Sequence, residues 1–130
     1  MKRYNEILDK IWEKAVIVEN YDPNRFRKDS CGAWIVKDKY NCRDSDFGWE
    51  VDHIYPQAKL EQNGASKEEI DVLDNLRPMN WHNNVSKGTD YPVYKASVTS
   101  KDNTNIEKDD EYEVNKDIQN TIKQLYSKYI

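Results

Sequence analysis

His53 directly follows Asp52, and it is one of only two histidines in the chain. A neutral imidazole, with an ordinary pKa of ~6.5, can take a proton from water near neutral pH. Carboxylates and carboxamides offer hard oxygen donors, which suit a hard divalent cation that keeps several of its waters. Downstream stand Asn75, then Asn84 nine residues later, then Lys87 and Gly88. A base, oxygen donors and a lysine are what phosphodiester hydrolysis needs: an activated water, neutralised phosphate charge and help for the leaving oxygen.

The local pattern suggests how these residues are positioned. Trp49 to Ile54 reads as a strand stopped by Pro56. Leu76 to Met79, interrupted by Pro78, is short and extended. Trp81 to Lys87 can form two helical turns, with Gly88 as a natural C-cap. Asn84 and Lys87 then share a helix face. The helix start favours an anion, so Lys87 is a candidate phosphate contact. By the period of two, Glu50 shares the strand face of Asp52 and reads as a solvated edge residue, with a supporting role behind the site as the alternative. Ser66 and Glu69 form a capping box for a short helix to about Leu73. Outside residues 49–88, periodic apolar positions predict terminal helices over 3–19 and 114–129. Ala33 to Val36 reads as a strand and Val93 to Thr99 as an edge strand. Residues 100–113 are polar and acidic, and are expected to be mobile. A length of 130 residues suits one domain, 1–130.

Three blocks, in order and at compatible spacing, resemble the HNH endonuclease family, whose members are also called ββα-metal or His-Me finger nucleases. They are Gly48-Trp49-Glu50-Val51-Asp52-His53-Ile54-Tyr55-Pro56, Asn75-Leu76-Arg77-Pro78-Met79 and Asn83-Asn84-Val85-Ser86-Lys87-Gly88. The stretch from Arg27 to Ala33 resembles what precedes the motif in family members. The resemblance covers about half of the chain. It implies an α+β fold with a ββα-metal core, here flanked by the two terminal helices. It also implies a metal-dependent endonuclease that leaves 5′-phosphate and 3′-hydroxyl ends on DNA. His53 would be the general base, Asp52 and Asn84 the metal ligands, and Asn75 the residue that orients the histidine-bearing loop. The cofactor would be Mg²⁺, with Mn²⁺ or another divalent ion as alternatives. The chain departs from the family in two ways: Asn84 stands where His is frequent, and Asn80 and Asn83 stand where many members have a zinc-binding cysteine pair. It therefore resembles the zinc-free members, with Trp49, Trp81 and the terminal helices as substitutes for the zinc. Two protein ligands are few, which predicts weak metal binding without DNA. His82 is read as a surface residue that could touch phosphate; a shift of register would make it the ligand in place of Asn84.

The net charge of −4 hides an uneven distribution. Residues 24–43 carry Arg25, Arg27, Lys28, Lys37, Lys39 and Arg43 against Asp29 and Asp38, while residues 101–117 carry seven acids against three lysines. Arg25, Arg27, Lys28 and Arg43 form either a DNA-binding patch or ordinary surface. With no reading helix evident, low sequence specificity is expected. A non-catalytic nucleic-acid- or protein-binding module on the same scaffold is the alternative function. No apolar run reaches membrane-spanning length and no apolar leader opens the chain, so a cytoplasmic location is expected. Cys31 and Cys42 are expected as reduced thiols; their spacing also permits a bridge.

Overall fold

The computed structural model describes residues 3–130. It is a mixed α+β fold with three separate two-stranded antiparallel sheets. Helix α1 (Leu8–Trp12) is followed by strands β1 (Phe26–Lys28) and β2 (Trp34–Val36), which pair with each other. Strand β3 (Trp49–His53) leads through the short helices α2 (Gln57–Gln62) and α3 (Lys67–Ile70) to β4 (Leu76–Asn80) and helix α4 (Trp81–Lys87). A long hairpin of β5 (Val93–Lys101) and β6 (Thr104–Glu113) precedes the last helix, α5 (Lys116–Leu125).

The N-terminal helix is far shorter than residues 3–19. Tyr4 sits at φ 69°, outside helical space. At the other end, Val16 exchanges backbone hydrogen bonds with Lys28, which draws the chain into extended geometry after Ala15. The periodic apolar face still does its work. Ile11, Trp12 and Ala15 pack with Ile35, Trp49 and Leu76 in one core cluster. A second cluster gathers Ile54, Leu60, Ile70, Met79, Tyr94, Ile122 and Tyr126. The β3–β4 hairpin lies between the clusters and contributes to both.

Residues 104–113 are not a loose tail but a strand of the last hairpin, paired with β5 on both sides of a bulge between Ala96 and Val98. Its charged side chains are mostly exposed, while Tyr94, Ala96 and Val98 of β5 are buried beneath. The capping box forms as expected, with the Ser66 side chain accepting from Glu69 N–H and the Glu69 carboxylate accepting from Ser66 N–H. The last helix keeps its apolar stripe but spans only Lys116–Leu125. Cys31 and Cys42 are both free thiols.

A buried polar knot holds the corner where β4 becomes α4. Asp29, 1% exposed, accepts hydrogen bonds from Cys31 N–H, Ala33 N–H, Asn80 N–H and the Asn83 carboxamide. Asn80 also caps α4 by accepting from His82 N–H. Asn80 and Asn83 thus tie three chain segments together. Just upstream of β3, a Cβ on Gly48 would fall 1.9 Å from the Cys42 carbonyl oxygen, so the approach to the strand requires glycine.

Candidate functional site

β3 and β4 pair so that Asp52 lies opposite Arg77 and His53 opposite Leu76. α4 folds back over this hairpin. Alternation along β3 turns Glu50 and Asp52 toward α4, where Asn84 meets Glu50 and Lys87 meets Asp52. His53, at the strand end, opens into a cleft of about 540 Å³ lined by Arg3, Tyr4, Glu50, Gln57 and Asn84 among others.

Nε2 of His53 lies 2.8 Å from Oδ1 of Asp71 and 3.2 Å from the Tyr4 hydroxyl. Asp71, at the end of α3, is in turn gripped by both ends of the Arg3 guanidinium fork, at 2.7 Å each. Burial works against the Asp71 charge, but hydrogen bonds from Arg3 and His53 outweigh it and hold the carboxyl below its usual range. Burial and the neighbouring Asp71 charge push the Tyr4 phenol up, so its proton stays on. Asn75 is fully buried. Its carboxamide accepts from Tyr55 N–H and donates to the carbonyls of Tyr55 and Ile70. One side chain therefore clamps the backbone just after His53 to the backbone just before Asp71.

Asp52 is not on the cleft. Its side chain is 4% exposed, one oxygen accepting from Arg77 Nε at 2.9 Å and the other paired with Lys87 Nζ at 3.2 Å. Expected as a metal ligand, Asp52 instead directs both of its oxygens to the cross-strand arginine and the lysine of α4. Lys87 is likewise no surface phosphate contact. Its side chain is fully buried, and it also donates to the carbonyls of His53 and Ile54. Burial lowers its pKa, and the Asp52 charge offsets part of that.

Glu50 is the carboxylate that reaches the cleft wall, rather than a solvated edge. It is held bidentately by Arg43 at 2.7 and 3.0 Å, and it accepts from the Asn84 carboxamide at 3.0 Å. Burial alone would raise its pKa, but these partners bring it below the usual range. Glu50 and Asn84 adjoin, and a carboxylate beside a carboxamide is chemistry that suits a hard divalent ion, but both Glu50 oxygens are already held by Arg43. Among the described residues, no group of three His, Cys, Asp or Glu side chains stands ready to hold a metal.

His82 faces elsewhere. It stacks on Trp81 and lies 3.5 Å from Asp46, beside β5 and β6 rather than in the His53 cleft. The structure therefore brings Asn84, not His82, to His53. The basic patch divides. Arg27 is buried, donating to the carbonyls of Pro23, Glu13 and Ala15, so its guanidinium faces inward. Arg25 is exposed over Phe26, and Lys28 lies over the Trp34 ring, both away from the cleft residues. Arg43 stands at the cleft through Glu50. Arg3, Tyr4 and Asp71 carried no signal in the sequence; only tertiary folding brings them to His53. No helix among the described residues is long and apolar enough to cross a membrane. Compared with protein-family models, curated proteins and solved structures, the chain finds no match in any of the three.

Proposed function

We propose that the protein is a metal-dependent endonuclease of the HNH type, hydrolysing DNA phosphodiester bonds with His53 as general base on a ββα-metal core. The observation that carries this reading is the His53 ring at the mouth of a solvent-open cleft with Asn84 and Glu50 on its wall. It stands at the end of β3, which is followed by two short helices, β4 and α4.

Asn84 would hold the ion through its carboxamide oxygen, joined by Glu50 once Arg43 turns from it to phosphate, with phosphate and water completing the shell. A divalent ion, Mg²⁺ first and Mn²⁺ as the alternative, would neutralise phosphate charge and stabilise the leaving 3′-oxygen. His53 takes the proton from the attacking water. Arg3 and Arg43 give the cleft a cationic rim suited to the phosphates on either side. Asn75 and Lys87 fix the backbone that carries the base.

Supercoiled plasmid tests the reading. Incubated with Mg²⁺ or Mn²⁺, the protein is expected to nick it, leaving 5′-phosphate ends, and EDTA should stop the reaction. His53→Ala should lower the rate on the order of 10²–10⁴-fold. Nicking that survives this substitution undiminished removes His53 as the base. A preparation that binds DNA in a salt-dependent way but never cuts it supports a binding module instead.

A further inference from the structure

The hydrogen bonding around His53 determines which of its two nitrogens is basic. Asp71 is held ionised by the Arg3 fork, and an ionised carboxylate can only accept. A hydrogen bond of 2.8 Å between it and Nε2 therefore requires the proton on Nε2. In the neutral ring the lone pair must then sit on Nδ1. Nδ1 makes no hydrogen bond among the described residues. The single buried side-chain nitrogen or oxygen among them that lacks a partner is Nη2 of Arg77, so Nδ1 is reachable by solvent.

The distance between the two groups is built in. Asn75 ties Tyr55, two residues after His53, to Ile70, the residue before Asp71. The Tyr126 hydroxyl donates to the carbonyls of Glu69 and Ile70 and secures the same turn from the other side. Lys87 secures the carbonyls of His53 and Ile54. Neither backbone can drift without breaking buried hydrogen bonds.

We propose that Asp71 is a positioning residue that locks His53 in the Nε2–H tautomer, leaving Nδ1 as the nitrogen that takes the proton from water. The assignment of Nδ1 to proton transfer rests on the nuclease reading above; the locked tautomer does not. Arg3 holds Asp71 in place, so a residue near the N-terminus tunes a ring fifty positions away.

Long-range ¹H–¹⁵N correlation on the uniformly ¹⁵N-labelled full chain, at a pH where the ring is neutral, reads the tautomer directly. The chain has only two histidines, so His82→Asn assigns the spectrum. The wild type is expected to show His53 protonated at Nε2 and bare at Nδ1. In Asp71→Asn the carboxamide can donate or accept, and a mixture of tautomers is expected, with circular dichroism confirming the fold. Arg3→Ala, a milder change, should shift the ring the same way but less. Plasmid nicking by Asp71→Asn should fall about 10²-fold or more in kcat with KM little changed, and Asp71→Glu should restore part of it. His53 protonated at Nδ1 in the wild type, or a ring and a rate both unmoved in Asp71→Asn, would overturn the inference. A wild-type protein that shows the Nε2–H ring but leaves plasmid intact overturns the nuclease reading and the part given to Nδ1, while supporting the Asp71 lock.

Discussion

Nζ of Lys87 lies 3.2 Å from a carboxylate oxygen of Asp52, and neither side chain reaches solvent to any extent. This contact joins α4 to the strand that carries His53. Breaking a buried ion pair from one side leaves the other charge unpaired, which costs about 3–5 kcal/mol, and the remaining Arg77 contact argues for the lower end here. Lys87→Met is therefore expected to destabilise the protein by about 3 kcal/mol, read from urea unfolding. Were Lys87 a phosphate contact on the surface, the same substitution would leave the urea midpoint unchanged and weaken only DNA binding.

Asn75 makes a second prediction of the same kind. Its three hydrogen bonds all end on backbone groups near His53 and Asp71. In Asn75→Ala the Tyr55 N–H and the Tyr55 carbonyl lose their partner, at about 1–3 kcal/mol each, while the Ile70 carbonyl keeps the Tyr126 hydroxyl. The expected loss is about 3 kcal/mol in urea, together with faster hydrogen exchange at the Tyr55 amide. An unchanged exchange rate at Tyr55 would show that the clamp does not hold.

The basic residues separate by burial. Arg27→Ala strands the carbonyls of Glu13 and Ala15, while that of Pro23 keeps the Trp12 indole N–H, and is expected to cost about 2–3 kcal/mol, with no change in the salt dependence of DNA binding. Arg43 is exposed, and Arg43→Ala should leave the unfolding midpoint nearly unmoved. It should reduce the slope of log K against log salt by about one, as the loss of a single phosphate contact does. Equal slopes for wild type and Arg43→Ala would take Arg43 away from the DNA.

The β3–β4–α4 unit was legible because its signals are local: Pro56 and Pro78 as punctuation, Gly88 as a cap, and apolar periods of the right kind. Asn75 was singled out only through the family resemblance, as the residue that orients the histidine-bearing loop; its contacts with the backbone of Tyr55 and Ile70 come from the tertiary fold. The Asp52 carboxylate was not, because its fate depends on Arg77 across the sheet and Lys87 on the helix, two cations that compete with any ion for its oxygens. β6 escaped notice because its charged run carries almost no apolar alternation; pairing comes from the backbone and burial from β5. The signal was the turn itself, Asp102-Asn103, with Asp102 at φ 53° between the two strands. Asn80 and Asn83 were read only as missing cysteines, whereas both are buried partners of Asp29.

Acid should expose the tie between Arg3 and Asp71. The Asp71 carboxyl titrates below its ordinary value of ~3.9 in the folded state, so the native protein binds that proton less readily than the unfolded chain. Its stabilisation is full above the unfolded value and is lost as pH falls through the folded one. Asp29 acts with the opposite sign. Burial raises its pKa against the pull of its four hydrogen bonds, so its contribution weakens as pH rises from the unfolded value through the folded one. The two effects overlap in a bulk titration, and a substitution separates them. The stability difference between wild type and Asp71→Asn should be largest above the unfolded carboxyl value of ~3.9 and shrink steadily as pH falls below it through the lowered folded value. Urea midpoints measured across that range give the curve. A gap that stays constant with pH would mean that the Arg3–Asp71–His53 contact contributes through packing alone and not through the charge on Asp71.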